Sequence, residues 1–210
     1  MPSVIEKMSD YNRLRKYRLF YRLFKPTVDS RILDVGASDD EYQKNANMLE
    51  KAYPYPDKIT VLGIGKFSSF STRYPEVRVV VYDGKQFPFK DKQFDVCWSN
   101  AVLEHVLHGE GRELFIREIM RVAKKAFIFT PNRFFIIEPH TRIFFLHWLP
   151  KIIFDRLLIR LGKGWAAGAY MRLLSYKDIV SLLEKSGISN YKILKNRALF
   201  FTVGYIIILQ

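Results

Sequence analysis

Short apolar runs in the first 131 residues are each followed by small or polar residues, and the exits from such runs are where an α/β sheet holds its ligands. Carboxylates at these exits can accept hydrogen bonds from amines or hydroxyls, and glycines let a ligand approach the backbone. The four histidines, spread over residues 105–147, and the single Cys97 fit no metal site. We therefore expect an organic ligand and no metal. The exits are residues 36–40, Gly65 and Lys66, Asp83 and Gly84, residues 100–105, and residues 131–133.

Glu104 and His105 are the candidate acid–base pair of this sequence. His105 could take a proton from an oxygen or nitrogen atom, a role worth roughly 10² to 10⁴ in rate. A histidine hydrogen-bonded at the start of a helix is the alternative. Both interpretations stay open at this stage.

The runs that must position these residues are strand-sized and apolar on both faces, which is typical of a parallel sheet covered on both sides. Helices are predicted over residues 39–52 and 111–122, and two further strands over 191–194 and 199–209, with a turn at 195–198. This alternation predicts a doubly wound α/β sheet. The first five strands are expected at 31–35, 59–64, 77–82, 94–99 and 126–130.

Helix ends add local evidence. Ser38 followed by Glu41 has the capping-box pattern and predicts the start of the helix over 39–52. Ser175 with Asp178 predicts the start of a later helix, which Gly187 is placed to close.

Two stretches resemble class I S-adenosylmethionine-dependent methyltransferases. RILDVG at 31–36 is similar to their first motif, and YDGKQFPFKDKQFDVCWSNAVLEHV at 82–106 is similar to their third-strand acid, Pro turn, fourth strand and Glu-His helix start. The resemblance covers residues 30–131 and implies a Rossmann-like methyltransferase fold with a mostly parallel seven-stranded sheet and helices on both faces. It also implies methyl transfer from S-adenosylmethionine.

The resemblance places the methionine part of the cofactor over the first loop and its adenine beside the acid after the third strand. The cofactor-binding residues that it implies are Asp34, Gly36, Ala37, Ser38, Asp39, Gly65, Lys66, Asp83, Gly84, Asn100 and Ala101.

Two departures from the family pattern stand out. Ser38 and Asp40 replace the second and third glycines of the first loop, and Gly65 replaces the ribose-binding acid after the second strand. A methyltransferase type 11-like branch has a similar variant first motif and resembles residues 130–140 (TPNRFFIIEPH). The departures leave an alternative open, in which the chain is a non-catalytic Rossmann-like binding protein, a degenerate methyltransferase acting at a membrane surface.

Residues 134–161 (FFIIEPHTRIFFLHWLPKIIFDRLLIRL) are too charged to span a membrane and too apolar for a plain loop. We interpret them as a lid over the methyl acceptor, within an insertion at about 133–170 that Pro139 and Pro150 break. Packing of its apolar residues on the core is the alternative. The substrate-contacting candidates near it are Asn132, Arg133, Glu138 and His140.

Residues 1–29 form a basic amphipathic arm, and residues 30–210 are predicted to be a single domain. Leu14, Tyr17, Tyr21 and Phe24 are spaced as an apolar stripe beside a basic one. The arm could lie on an anionic leaflet or cap the cofactor crevice.

The formal net charge is +13, and residues 1–25 and 133–164 contribute +5 and +4 of it. Basic residues interleaved with large aliphatic ones are typical of peripheral contact with an anionic membrane. Nucleic-acid binding and a plain solubilising surface are the alternatives. Residues 1–10 have no secretory pattern and Cys97 has no partner for a disulfide, so a cytoplasmic protein is expected. The predicted acceptor is a small, hydrophobic or lipid-like molecule.

Overall fold

The computed structural model describes residues 4–41, 46–137, 143–168, 172–198 and 200–210. Seven strands form one sheet in the order β3-β2-β1-β4-β5-β7-β6. The strands are β1 (Ile32–Val35), β2 (Ile59–Gly63), β3 (Arg78–Val81), β4 (Phe94–Asn100), β5 (Ala123–Pro131), β6 (Tyr191–Ala198) and β7 (Phe201–Leu209).

The sheet is mostly parallel. β1 pairs in parallel with β2, and β2 with β3, while β7 runs antiparallel to both β5 and β6. The first strand, β1, lies in the middle of the sheet. β2 and β3 follow on one side of it, and β4 lies on its other side, so the strand order reverses between β1 and β4. The predicted doubly wound, seven-stranded fold is confirmed.

The helices described are α1 (Val4–Phe24), α2 (Met48–Ala52), α3 (Ser68–Arg73), α4 (Glu110–Val122), α5 (Lys151–Arg160) and α6 (Tyr176–Lys185). The capping box predicted for α6 is present, since Ser175 Oγ accepts from the Asp178 N–H and the Asp178 carboxylate accepts from the Ser175 N–H. Gly187 follows this helix with φ of 75°, a left-handed conformation that glycine adopts without strain. Pro150 immediately precedes α5, as expected of a residue that breaks the insertion, and Pro139 lies outside the described residues.

The helix predicted over residues 39–52 is wrong at its start. Residues 38–41 form an irregular loop, Tyr42 lies outside the described residues, and α2 begins only at Met48. Ser38 does not cap a helix because its hydroxyl donates to the Asp40 carbonyl. The turn predicted at 195–198 is also wrong, since β6 continues to Ala198 through an irregularity at Asn196 and Arg197.

The N-terminal arm packs with most of the predicted apolar stripe, since Tyr17 is buried and Leu14 and Phe24 are half-buried. Tyr21 of that stripe is exposed, and Phe20, outside it, is fully buried. Tyr17 donates its hydroxyl to the Ala52 carbonyl at 2.8 Å, and the Phe20 ring meets Trp98 edge-on at 5.2 Å. These contacts tie the arm to the first of the two units described next.

The chain divides into two compact units, residues 1–98 with 121–125, and residues 99–120 with 126–210. The first has a core that includes Phe20, Leu33, Leu62 and Phe70. The core of the second includes Ile116, Ile119, Phe127, Ile207 and Leu183. The insertion in the second unit adds a small cluster of its own, formed by Phe154, Leu158, Ala166 and Leu173.

Within the described ranges, no helix is long and apolar enough to cross a membrane. Nor do the histidine, cysteine and acidic side chains of those ranges form a group that could hold a metal ion.

Candidate functional site

The carboxyl edge of the parallel strands β1, β2 and β3 in the first unit gathers three glycines. Gly36, Gly65 and Gly84 follow these strands and have φ of 98°, 96° and 83°. Gly36 donates its N–H to the Leu62 carbonyl at 3.1 Å, which keeps the first loop against the end of β2. All three glycines are exposed, so the backbone at this edge is open to a ligand.

Asp83 and Ile64 give this edge a polar and an apolar contact. The Asp83 side chain is exposed, and its Oδ1 accepts from the Lys85 N–H at 3.0 Å. Ile64 is 69% exposed, and its Cδ1 would come within 3.1 Å of a Cβ at Gly84. A carboxylate beside a large apolar side chain can receive an amino group on a flat base. Ile64 was not identified from the sequence as a site residue, because it is the last residue of the strand predicted over residues 59–64.

Gly65 and Lys66 complete the exit of β2. Nothing lies within 4 Å of the position that a Cβ would take at Gly65, and both residues are exposed. No carboxylate therefore stands at Gly65, where the family usually has its ribose-binding acid. Lys66 remains a predicted contact.

The loop after β1, in which Ser38 and Asp40 replace two glycines of the family pattern, is held in place by side-chain hydrogen bonds. The Ser38 N–H donates to Asn47 Oδ1 at 2.9 Å, and Asn47 Nδ2 returns a bond of 2.8 Å to the Ser38 carbonyl. Asp39 Oδ1 accepts from the Phe70 N–H at 2.6 Å, and Arg73 donates to the Asp39 carbonyl. The Asp39 carboxylate is thus oriented toward α3, while Ala37 is half-buried within the loop.

Asp34 is buried at the end of β1 and faces Glu50 of α2. Burial and the Glu50 carboxylate raise the pKa of Asp34 well above its ordinary value, and burial likewise raises the pKa of Glu50. Asp34 Oδ1 and both carboxyl oxygens of Glu50 are buried without a hydrogen-bond partner among the described residues, so protonation lowers the free-energy cost of burying the pair. Glu50 was not identified from the sequence, because burial of its carboxyl group is visible only in the structure.

Cys97 lies near this pair. Burial, reinforced by the Asp34 carboxyl, raises the pKa of the Cys97 thiol well above its ordinary value. The thiol is therefore protonated and unreactive.

Glu104 and His105 lie in the second unit and differ in exposure. Glu104 is fully buried, and its Oε2 accepts from Thr130 Oγ1 at 3.1 Å. Its carbonyl accepts from Arg112 and from the Arg172 N–H, so Glu104 is built into the packing. His105 is half-buried and donates its backbone N–H to Val102 at 2.8 Å. Of the two, His105 has the exposure that proton transfer to an acceptor needs.

Asn100 and Ala101 end β4. Asn100 is half-buried, and Ala101 has φ of 61° while donating its N–H to the Phe129 carbonyl at 2.9 Å. A non-glycine residue in this conformation is strained by roughly 1 to 3 kcal/mol and is found most often at functional sites.

Of the predicted substrate residues, Asn132 is used internally. Its Nδ2 donates to the Thr202 carbonyl at 2.9 Å and its Oδ1 accepts from the Phe134 N–H at 3.1 Å. Arg133 is half-buried with its guanidinium 5.9 Å from the Phe134 ring centre. Glu138 and His140 lie outside the described residues.

Arg133 also lines a cavity of about 160 Å³ in the second unit. The other described residues of its wall are His147, Leu149, Lys151, Phe154, Arg172 and Leu173. The sequence did not indicate this grouping, because its cations come from segments up to 39 positions apart.

A family model described as "Methyltransferase domain" matches residues 59–129. Those residues hold β2 to β4, Gly65, Asp83, Gly84 and the Glu104–His105 pair. No curated protein sequence matches the chain significantly.

Solved structures, several of them of methyltransferases, share the fold at low identity. The methyltransferase CalH in complex with S-adenosylhomocysteine has a TM-score of 0.62 at 16% identity, over 97% of this chain and 57% of CalH. The Burkholderia thailandensis 1,6-didemethyltoxoflavin N1-methyltransferase has a TM-score of 0.59 at 13% identity, over 96% and 78%. The YcgJ protein of Bacillus subtilis has a TM-score of 0.57 at 16% identity, over 86% and 70%. The chain spans about half of two carbon methyltransferase structures, at 53% of each.

Proposed function

We propose that this chain, whose residues 59–129 match a methyltransferase domain model and whose fold is that of solved methyltransferases, transfers a methyl group from S-adenosylmethionine to a small, hydrophobic or membrane-associated acceptor. The observation that carries the proposal is the open edge of the parallel strands in the first unit. Three positive-φ glycines and the exposed Asp83 lie together there, and two of the glycines and Asp83 fall within the matched segment.

The described residues of this edge fit S-adenosylmethionine. Gly36 and Gly65 leave the backbone open, Asp83 can accept from the adenine amino group, and Ile64 can cover the base. The bound cofactor supplies an activated methyl group on a sulfonium. Since this activation is intrinsic to the cofactor, the protein has mainly to hold donor and nucleophile in line, which is worth about 7 to 11 kcal/mol at most.

His105 is the proposed base for an oxygen or nitrogen acceptor. Its half-buried ring can take the proton that the acceptor loses. Glu104 acts differently, because its fully buried carboxylate, hydrogen-bonded to Thr130, holds the turn that carries His105. We therefore assign Glu104 as a positioning residue.

The apolar surface of the insertion supports an acceptor that is hydrophobic or lies in a membrane. Large apolar side chains exposed there are Phe144, Phe145, Trp148, Leu149, Ile152, Ile153, Ile159, Leu161 and Trp165. They make up nine of the twenty exposed large apolar residues described in the chain, although the segment 143–168 is short. Concentrated exposure of this kind is typical of a surface that meets another apolar body.

Binding of S-adenosylhomocysteine tests the cofactor part of the proposal. We expect saturating ligand to raise the Tm, and Asp83→Ala to weaken binding about tenfold or more through loss of a charge-assisted hydrogen bond. Asp57→Ala is the matched control, because Asp57 is an exposed carboxylate of the same unit that pairs with Lys58. The absence of any Tm shift at millimolar ligand would reject the proposal.

The loop of residues 38–41 favours a second candidate, a non-catalytic binding protein on the same scaffold. Its amide at Ser38 and its carboxylate at Asp39 are already hydrogen-bonded within the protein, and Gly65 offers no carboxylate to a ribose. This candidate predicts vesicle binding with no response to S-adenosylhomocysteine. Transfer of a labelled methyl group to a lipid extract would exclude it.

A further inference from the structure

The cavity of the second unit combines three cations with apolar walls. Arg133 follows β5, Lys151 begins α5, and Arg172 precedes α6, so separate segments bring their charges to one space. Leu149, Phe154 and Leu173 provide its apolar side, and no acidic residue is among the described residues of its wall. We propose that this cavity binds the phosphate group of an amphiphilic methyl acceptor, an inference that rests on the proposed function.

Among the described residues, a carboxylate offsets the charge of Lys151, whereas the two arginines keep theirs. Lys151 pairs with Asp155, one turn along α5. Asp178 lies close enough for Arg133 to contribute to lowering its pKa, but its carboxylate accepts from the Ser175 N–H at 2.8 Å and the Ser175 hydroxyl at 2.7 Å. Within the described part of the chain, neither Arg133 nor Arg172 forms an ion pair with a carboxylate.

Other cations reinforce the positive potential. Arg112 donates a hydrogen bond to the Arg172 carbonyl at 2.6 Å. Burial is the largest cause that lowers the pKa of His108, and the positive charges of Arg172 and Arg112 lower it further. His147, which also lines the cavity, donates a hydrogen bond from Nε2 to the Phe135 carbonyl at 2.7 Å. A neutral ligand would not use this potential.

A phosphate suits this charge better than a single carboxylate does. Two guanidinium groups can each donate a pair of parallel hydrogen bonds to a phosphate, while the charge of Lys151 is already offset by Asp155. Lys151 is the first residue of the ten-residue α5, and the dipole of a helix favours an anion near its first turn. The cavity volume of about 160 Å³ far exceeds the roughly 10 to 15 Å³ that one water needs.

The walls and rim indicate what the phosphate is attached to. Leu149 and Phe154 line the cavity, and the exposed Trp148, Ile152 and Ile153 belong to the same stretch of chain. The Trp148 ring meets Phe145 edge-on at 5.0 Å, which fixes an aromatic surface there. A molecule with an anionic head and an apolar tail fits both features.

The test compares Arg133→Gln/Arg172→Gln with the control Lys192→Gln/Lys195→Gln, which removes two exposed positive charges from β6. Binding is measured to neutral phosphatidylcholine vesicles with and without phosphatidic acid, and separately to glycerol phosphate in solution. We expect the first variant to lose tenfold or more in affinity for the phosphate probe, and the control less than about threefold. Binding confined to vesicles identifies a lipid head group, and binding of glycerol phosphate identifies a soluble phosphate ester.

Equal weakening in both variants overturns the proposal, because general charge would then explain binding. No binding of either probe also overturns it. The Tm shift with S-adenosylhomocysteine is recorded for every protein, so the two proposals can fail separately. A variant that loses both phosphate binding and the Tm shift with S-adenosylhomocysteine does not count as support. If the Tm shift persists and neither phosphate probe binds, only this inference is rejected.

Discussion

At the scale of single residues, the pair of Asp34 and Glu50 couples the cofactor edge to the core. Asp34 lies in β1, two positions before the exposed Gly36, and its carboxyl group is buried near Glu50. Two neighbouring carboxyl groups that are buried without hydrogen-bond partners cost least free energy when they hold a proton. The position of the first loop therefore depends on a proton that solvent does not readily reach.

Replacing Glu50 by glutamine tests this dependence. Because the folded pKa of both groups is raised, the folded state binds more protons than the unfolded state above the ordinary carboxyl pKa, and stability falls as pH rises. We expect the Tm of the native protein to fall as the pH rises above the ordinary carboxyl pKa of about 4, and Glu50→Gln to flatten that slope. Glu76→Gln, at an exposed loop position, is the control. An unchanged slope in Glu50→Gln would contradict the assignment.

Ala101 provides a second test at this scale. Its φ of 61° is unfavourable for any residue with a Cβ, so Ala101→Gly should raise the free energy of unfolding by about 0.5 to 1 kcal/mol. Ala52→Gly at the end of α2 is the control, and it should destabilise by a similar amount. Urea denaturation measures both, and a loss of stability in Ala101→Gly would show that the strain is absent.

At the scale of elements, the arm is part of the fold. Phe20 is fully buried against Trp98, and Tyr17 is hydrogen-bonded to the carbonyl of Ala52. An arm that left the protein to lie on a leaflet would expose both aromatic rings. The structure therefore makes detachment of α1 costly, whatever its basic outer face contacts.

Phe20→Ala measures that cost. Removing a buried phenyl ring leaves a cavity, and we expect a loss of about 3 to 5 kcal/mol in the free energy of unfolding. Leu23→Ala, on the exposed side of α1, should change it by less than about 0.5 kcal/mol. A small effect at Phe20 would mean that the arm is not docked in solution.

The elements that could be predicted from the sequence are those in which local and global preferences agree. Strands such as β1 and β2 were found because both of their faces are buried and their runs are apolar, and α6 was found because its capping box and apolar face coincide. The start of α2 was not, because Asn47, nine positions from Ser38, supplies the bonds that a cap would have supplied. The cationic cavity was equally hidden, since no local pattern relates Arg133 to Arg172.

At the scale of the whole molecule, charge and apolar exposure lie in the same stretches of sequence. Residues 133–164 carry a net charge of +4 and hold most of the apolar side chains exposed in the insertion. Each basic residue near an anionic surface contributes roughly 1 kcal/mol, which salt screens, whereas apolar contacts are little affected by salt. The two contributions can therefore be separated experimentally.

Vesicle co-sedimentation at two salt concentrations makes that separation. With anionic vesicles, we expect binding to fall steeply from about 0.05 M to 0.5 M salt, and neutral vesicles to bind poorly at both. Ile152→Ser/Ile153→Ser removes exposed apolar contacts on α5 and should weaken binding at every salt concentration while leaving the salt dependence unchanged. Val28→Ser, an exposed apolar residue of the first unit, is the control. Equal binding to anionic and neutral vesicles would rule out electrostatic docking, and the basic excess would then have another use.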